Sequence, residues 1–419
     1  MDTALFQCGF LGAVLSSPAP EIRDARDGGH AGRAPDSSAA EQAAPSSRNL
    51  NLLRSFAVLL VVGFHIAKFF NWRLETLRVT DFGLLGVMLF FVHTTLVLMF
   101  SLERQSAGSR ASLFLPFMVR RCFRIYPLAA LIVAGAYLFQ IPSDLQFGGF
   151  HLLHQTAGNL LANLLLVQNV TLQKANPGIL WSLPLELQMY LALPALFLFA
   201  RRARSAWVVM AFWCACVALW FTVGFASGVL PLADGIIRSP AEALLKFTRF
   251  APCFLPGIVA YKLWRRPKIL PALLWPVFLV LCCGAFVLSS DRQPIESGWA
   301  ICVAIGLGVS FFREMPESLL AALSKQIARY SYGIYLLHYF AIWVAFAVFR
   351  RLNTGLQIAI FVAVLASLSV LLYHAVEAPL IAAGVRISKQ LAHRNFAPDA
   401  ESRRADPVAR IRPALGRST

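Results

Sequence analysis

Residues 52–70, LLRSFAVLLVVGFHIAKFF, form an apolar run long enough to cross a bilayer, interrupted by Arg54 and His65. The two are eleven positions apart, about three helical turns, so both side chains leave nearly the same helix face roughly 16 Å apart along the axis. An ionisable group inside a span is tolerated only where it faces the interior of a bundle or a wet cavity. His65 is therefore a site candidate, set against the plainer alternative that it donates to a neighbouring helix and holds two spans together.

The rest of the composition agrees with a membrane setting. The chain has 419 residues, 58% hydrophobic and only 14% charged, with a mean hydropathy of +0.63. A soluble domain carries about a quarter charged residues, so the sequence predicts a polytopic membrane protein. Its net charge of +17 comes from Lys and Arg clustered between apolar runs and in the tails. That is the pattern of membrane orientation and lipid contact, and no nucleic-acid module is visible. The eight cysteines lie mostly inside apolar runs without ligand-like His partners. They read as small core residues, with neither a disulfide framework nor a metal site.

Three regions follow in order. Residues 1–48 open with LFQCGFLGAVL after Asp2, not after a basic segment, and continue in Ala, Pro, Ser and Gly. A disordered N-terminal extension is predicted there, not a cleaved leader. Residues 49–382 form the transmembrane domain, and 383–419 a basic, disordered cytoplasmic tail. The domain is all-α, with about ten spans, placed at 50–70, 83–101, 125–141, 180–200, 206–226, 249–263, 270–289, 296–312, 328–349 and 355–376. Basic connections, among them Arg104 to Arg124, Arg201 to Arg204, Lys262 to Lys268 and Arg313 to Arg329, all fall on one side, which places both termini in the cytoplasm; Arg350 and Arg351 are the exception. The piece NLLANLLLV, within the long connection 142–179, lies along the interface or folds back on the bundle. No internal repeat stands out, which argues against a transporter built from two related halves.

Several further stretches carry polar groups at membrane depth. The second span contains His93, Thr94 and Thr95, and a second buried imidazole near His65 would alter its behaviour. Arg120, Arg121 and Arg124 sit at the start of the third span. Singly each is an interfacial anchor; together they form an anion site suited to the phosphates of a cytoplasmic cofactor. The fourth span opens with Trp181, Glu186 and Tyr190, the last two one helical turn apart. A carboxylate there needs a partner, either an imidazole that it orients or an arginine. Pro252, Pro256 and Gly257 should bend or break the sixth span. Tyr332, Tyr335 and His338 cluster in the ninth, and His374 and Glu377 close the tenth.

As an ordered set these stretches resemble the acyltransferase family 3 of membrane O-acyltransferases, over roughly residues 48–382. The resemblance rests on Arg54 with ten residues before His65, GxxGVxLFFV at 83–92, RRxxRIYP at 120–127, WSLxxE at 181–186, SYGIYLLH at 331–338 and ExP at 377–379. It implies a ten-span bundle in a bacterial inner membrane that moves an acyl group, commonly acetyl, from cytoplasmic acyl-CoA to a hydroxyl of a carbohydrate or glycolipid. Acyl-CoA enters as donor substrate, with no tightly bound cofactor. The resemblance makes His65 the essential histidine, Arg54 its paired basic residue, and Arg120 with Arg121 or Arg124 the CoA-binding motif. Two departures stand out. His93, Thr94 and Thr95 replace the usual Ser-Gly-Phe, and the tail is too short for the soluble second domain of many relatives, so a handover outside would need another protein.

On this reading Arg54, Arg120, Arg121 and Arg124 hold the nucleotide end while the thioester reaches His65. His65 deprotonates the acceptor or takes the acyl group itself. Glu186 is expected to orient the imidazole, with His93, Trp181, Tyr190 and His338 lining the pocket. The rival is a proton-coupled transporter or exporter of a lipid-linked sugar, which would also use buried His and Glu.

Overall fold

A helix satisfies its own backbone, which is why apolar segments in lipid adopt it. The computed structural model describes residues 47–70, 79–108, 113–141, 144–146, 149–151, 156–226, 240–289 and 294–394. The expected disorder of residues 1–46 and 395–419 lies outside the described residues. Twelve helices are found among them: α1 (Arg48–Phe69), α2 (Val79–Gly108), α3 (Phe114–Leu138), α4 (Ala157–Leu164), α5 (Leu183–Arg202), α6 (Ala206–Ala226), α7 (Pro240–Leu263), α8 (Leu274–Ser289), α9 (Pro294–Gly308), α10 (Leu319–Ile342), α11 (Thr354–Leu372) and α12 (Ala378–Arg394). A tight 3₁₀ turn, Gly178–Ser182, leads into α5, and wide π-helical turns, Trp343–Val348 and Tyr373–Glu377, follow α10 and α11. A two-stranded antiparallel hairpin, β1 (Asp144–Gln146) with β2 (Gly149–His151), pairs Leu145 with Phe150.

Each of the ten predicted spans falls on a helix. Among the described residues six helical segments are long and apolar enough to cross a membrane, and α8 and α9 are shorter apolar helices. The chain is an integral, multi-pass helical bundle. Its basic connections meet at one end, as their alternation requires. Arg265 bonds Glu103 at 2.7 Å, Lys262 bonds the Ala203 carbonyl at 2.9 Å, and Lys268 and Ser47 both reach Glu314, at 2.9 and 2.8 Å. Asn49, fully buried, ties the start of α1 to the same end through the Arg313 carbonyl and the Met315 amide.

α2 runs through the middle, packed on α1, α7 and α9. Its apolar surface is continuous around the axis, as a helix surrounded by protein requires. Close approach depends on glycine: a Cβ on Gly86 would stand 2.6 Å from the Ala57 carbonyl oxygen of α1, and one on Gly257 of α7 would stand 2.5 Å from that of Val92. The aligned backbones fix α1 against α2 in antiparallel register, with Gly83 facing Phe64.

Three expectations are corrected, and one alternative is resolved. α7 runs unbroken through Pro252 and Pro256. Pro256 has no N–H for the Pro252 carbonyl, and the Trp213 indole supplies the missing donor at 2.9 Å. α3 begins at Phe114, so Arg120, Arg121 and Arg124 lie inside the helix instead of at its start. Residues 383–394, assigned to a disordered tail, complete α12, which packs on α3. Gly384 allows that packing, since a Cβ there would lie 2.5 Å from the Phe123 side chain. Finally, of the two placements for NLLANLLLV the structure has the second: α4 packs on α3, and its buried Asn159 and Asn163 both donate to the Lys174 carbonyl.

Gly86→Val should lower stability by about 1–3 kcal/mol through overpacking at the α1–α2 contact. Gly284→Ala, where a Cβ meets nothing within 4 Å, should be neutral. Thermal exposure of the buried thiols Cys253 and Cys302 in detergent measures both.

Candidate functional site

Polar residues that the sequence scatters over four helices converge on one cavity. It is small and partly open, with a volume of about 60 Å³, room for a few water-sized groups, and its walls include Arg54 of α1, Thr94 of α2, Ser182 and Glu186 at the start of α5, and Ser331 and Tyr335 of α10. Arg54 is held by its Nε, which donates to Ser331 Oγ at 2.6 Å; Ser331 in turn donates to the Ala328 carbonyl at 2.9 Å. Tyr335 gives its one proton to the Ile179 carbonyl at 2.8 Å and so accepts from Ser182 Oγ at 2.7 Å. That pair of bonds pins the 3₁₀ turn before α5 to α10 and brings Glu186 into the cavity wall.

Glu186 accepts a hydrogen bond from Tyr190, one turn on. The carboxylate also lies in the field of Arg54, Arg121 and Arg124. Arg124 is 3.4 Å from Glu377, whose carboxylate is 1% exposed and makes no hydrogen bond among the described residues. The π-helical turn Tyr373–Glu377 and the side-chain-free surface of Gly333 place this second carboxylate inward. Three guanidinium groups thus share two carboxylates. Arg120 adds a further positive charge beside Arg121, and Arg120 Nε and Nη2 and Arg121 Nε are buried donors without a partner among the described residues. Buried, unspent guanidinium donors in a cluster with excess positive charge are the attributes of an anion site.

His65 stands apart from this cavity. It is half-buried, and its Nδ1 lies 2.9 Å from the Val61 carbonyl oxygen and 3.1 Å from Nε2 of His338. His338 is fully buried, with its own Nδ1 2.7 Å from the Tyr335 carbonyl oxygen. The edge of the His65 ring also meets Tyr339, with centroids 4.9 Å apart. Tyr335 lines the cavity and its ring lies 6.0 Å from that of His338, so the link from the arginine cavity to His65 runs through Tyr335 and His338.

Of the predicted site residues, Arg54 and Glu186 line the cavity, and Arg121 and Arg124 share the field of Glu186. The assigned task of Glu186 is corrected: it bonds Tyr190, and no hydrogen bond joins it to His65. The second imidazole that meets His65 is His338. His93 is buried near Arg54 with its Nδ1 unpartnered among the described residues. None of the four expected pocket residues lies in the cavity wall. Tyr190 and His338 stand behind wall residues, and Trp181 packs on Phe250 with centroids 5.4 Å apart. Ser182, Ser331 and Glu377 were not singled out as site residues. Helical spacing was the available signal: 182 with 186, and 331 with 335 and 338, repeat at i+3 or i+4.

With this geometry in hand, comparison with known proteins is informative. The family model described as "Acyltransferase domain" matches residues 47–374. A Bacillus subtilis (strain 168) protein named as a peptidoglycan O-acetyltransferase, YrhL, is 26% identical over 365 residues, covering 80% of this chain; the chain spans 55% of that relative's length. Nodulation protein 10 of Rhizobium leguminosarum bv. viciae is 26% identical over 338 residues, covering 71% of this chain and 83% of the relative. No solved structure matches the chain.

Tyr190→Phe deletes the phenolic donor and leaves the Glu186 carboxylate short of a partner. Stability should fall by about 1.5–3 kcal/mol, the range for a hydrogen bond to a charged group. A thermal or denaturant melt in detergent reads the loss.

Proposed function

The chain belongs to the acyltransferase family whose domain its residues 47–374 match, and from that premise we propose that it is a membrane O-acyltransferase. It moves an acyl group, acetyl in the first instance, from cytoplasmic acyl-CoA to a hydroxyl of a carbohydrate or glycolipid in a bacterial inner membrane. The observation that carries the reading is the pairing of two sites. Arg120 and Arg121 are buried with unspent donors, and Arg121 shares the field of Glu186 in the cavity wall. His65, paired with His338, stands outside that wall, about 16 Å along α1 from Arg54. The name of the Bacillus subtilis relative supports a saccharide acceptor, and the family match favours group transfer over the transport alternative.

An alcohol is a weak nucleophile at neutral pH, so the transfer needs a base within hydrogen-bond reach and a site from which water is excluded. In this proposal Arg120, Arg121 and Arg124 bind the phosphates of the donor. Arg54, fixed by Ser331, steers the pantetheine arm into the cavity toward Tyr335. His65 then acts with the lone pair of its Nε2. In one route it removes the proton of the acceptor hydroxyl as the oxygen attacks the thioester; in the other it attacks the thioester and passes the acyl group on. Both routes use the same ring nitrogen.

Purified protein in nanodiscs, given radiolabelled acetyl-CoA and a saccharide acceptor, should transfer label. His65→Ala should reduce the rate by about 10²-fold or more, the usual share of a positioned base. Undiminished transfer by the variant would overturn the mechanism. Arg121→Ala should raise the KM for acetyl-CoA about tenfold, the worth of one charge-assisted hydrogen bond, with the KM for acceptor unchanged. An equal loss for both substrates would remove the phosphate-site role.

A further inference from the structure

We infer that His338 is a positioning residue that fixes which nitrogen of His65 carries the proton and takes up the charge that forms on it. This deepens the function proposed above, resting on His65 as the reacting imidazole. The inference follows from three contacts read in order. A neutral imidazole has one N–H and one lone pair. His338 Nδ1 is 2.7 Å from the Tyr335 carbonyl oxygen, which only accepts, so Nδ1 holds the proton and Nε2 is left as an acceptor. His65 Nδ1 lies 3.1 Å from that acceptor and 2.9 Å from the Val61 carbonyl oxygen, also an acceptor. Facing two acceptors, His65 Nδ1 must be the protonated nitrogen. Its Nε2 therefore carries the lone pair, and among the described residues no hydrogen bond engages it. The opposite tautomer would set a lone pair against both acceptors at once. In the neutral pair the polarity of these bonds is dictated by a backbone carbonyl on α10.

The same arrangement balances the reaction. When Nε2 takes the acceptor proton, the acceptor O–H bond breaks and an N–H bond forms. The oxygen bonds to the thioester carbon, the C–S bond breaks, and the thiolate leaves with the electron pair. When Nε2 attacks instead, an N–C bond forms as the C–S bond breaks. In both cases the ring of His65 becomes cationic, and its Nδ1 proton points at His338 Nε2. Transfer along that bond moves the charge onto a ring already donating to Tyr335, and its return restores the starting pair. The acceptor or the thiolate supplies or removes the remaining proton, so nothing outside the two substrates is needed.

The test combines two readouts. In protein labelled with ¹⁵N-histidine, the resonances lost in His65→Asn should show a pyrrole-type Nδ1 and a pyridine-type Nε2. A through-bond coupling from Nδ1 to a second ring should disappear in His338→Phe. An Nε2-protonated His65 overturns the inference, whatever the activity. In transfer assays, His338→Phe keeps ring volume and should lose about tenfold or more of kcat, part of what a positioned base contributes, with the KM for acyl-CoA unchanged. His338→Gln places an acceptor oxygen near the position of Nε2 and should recover most of that loss. Equal rates for the Phe and Gln variants would reduce His338 to packing. Wild-type transfer by His65→Ala would instead remove the functional reading, and the tautomer would still be decided by the nitrogen spectra alone.

Discussion

A charge held in an apolar bundle must be matched by fixed partners, and the architecture is arranged around that demand for Arg54. In lipid the guanidinium has no water to solvate it. The bundle answers with Ser331 on its Nε and with Glu186 and Glu377 in its field. Those groups come from α10, α5 and the turn that follows α11, so one cation draws on elements that are far apart in the chain. The 3₁₀ turn pinned by Tyr335 and the π-helical turn ending at Glu377 are departures from regular helix, and each delivers a side chain to this centre. Replacing ion clusters of this kind by apolar residues is often neutral for stability.

The arginines also divide the molecule into two chemical regions. Around Arg54 the excess is of cations and unspent donors, a setting for an anionic ligand. Around His65, among the described residues, the charge in its field is that of Lys68, and its hydrogen-bond partners are two acceptors beside the edges of aromatic rings. One region is suited to hold a charged ligand and the other to move a proton. Tyr335 belongs to both, as a wall of the cavity and as the residue whose carbonyl anchors His338.

The central helix shows why the bundle tolerates so many polar groups. α2 packs on α1 and α7 through glycines whose missing Cβ atoms would otherwise strike backbone oxygen, and on α9 through Gly298, which faces the Met88 side chain. Van der Waals contact at that distance supplies association where lipid removes the hydrophobic drive between helices.

Much of this was readable in one dimension. Span length and apolar composition report the number and place of the helices because a bilayer admits few other structures. The alternation of basic connections sorted the helix ends, Arg54 and Glu186 were recognisable as charges that lipid would not accept unpaired, and Arg121 and Arg124 as members of a basic anion site. What one dimension could not hold was partnership. Glu186 looked able to orient His65, but the 3₁₀ turn places it with Tyr190 and the arginines. His93 looked like the second imidazole, but the crossing of α1 with α10 makes it His338, 273 residues away in the chain. The prolines of α7 read as a bend or a break, but the helix is continuous, with Trp213 of α6 supplying the missing donor. Local propensity and solvent preference act on each residue alone, so the sequence determines helices, spans and unwelcome charges. Which charge meets which depends on how helices cross, and only the packed tertiary structure decides that.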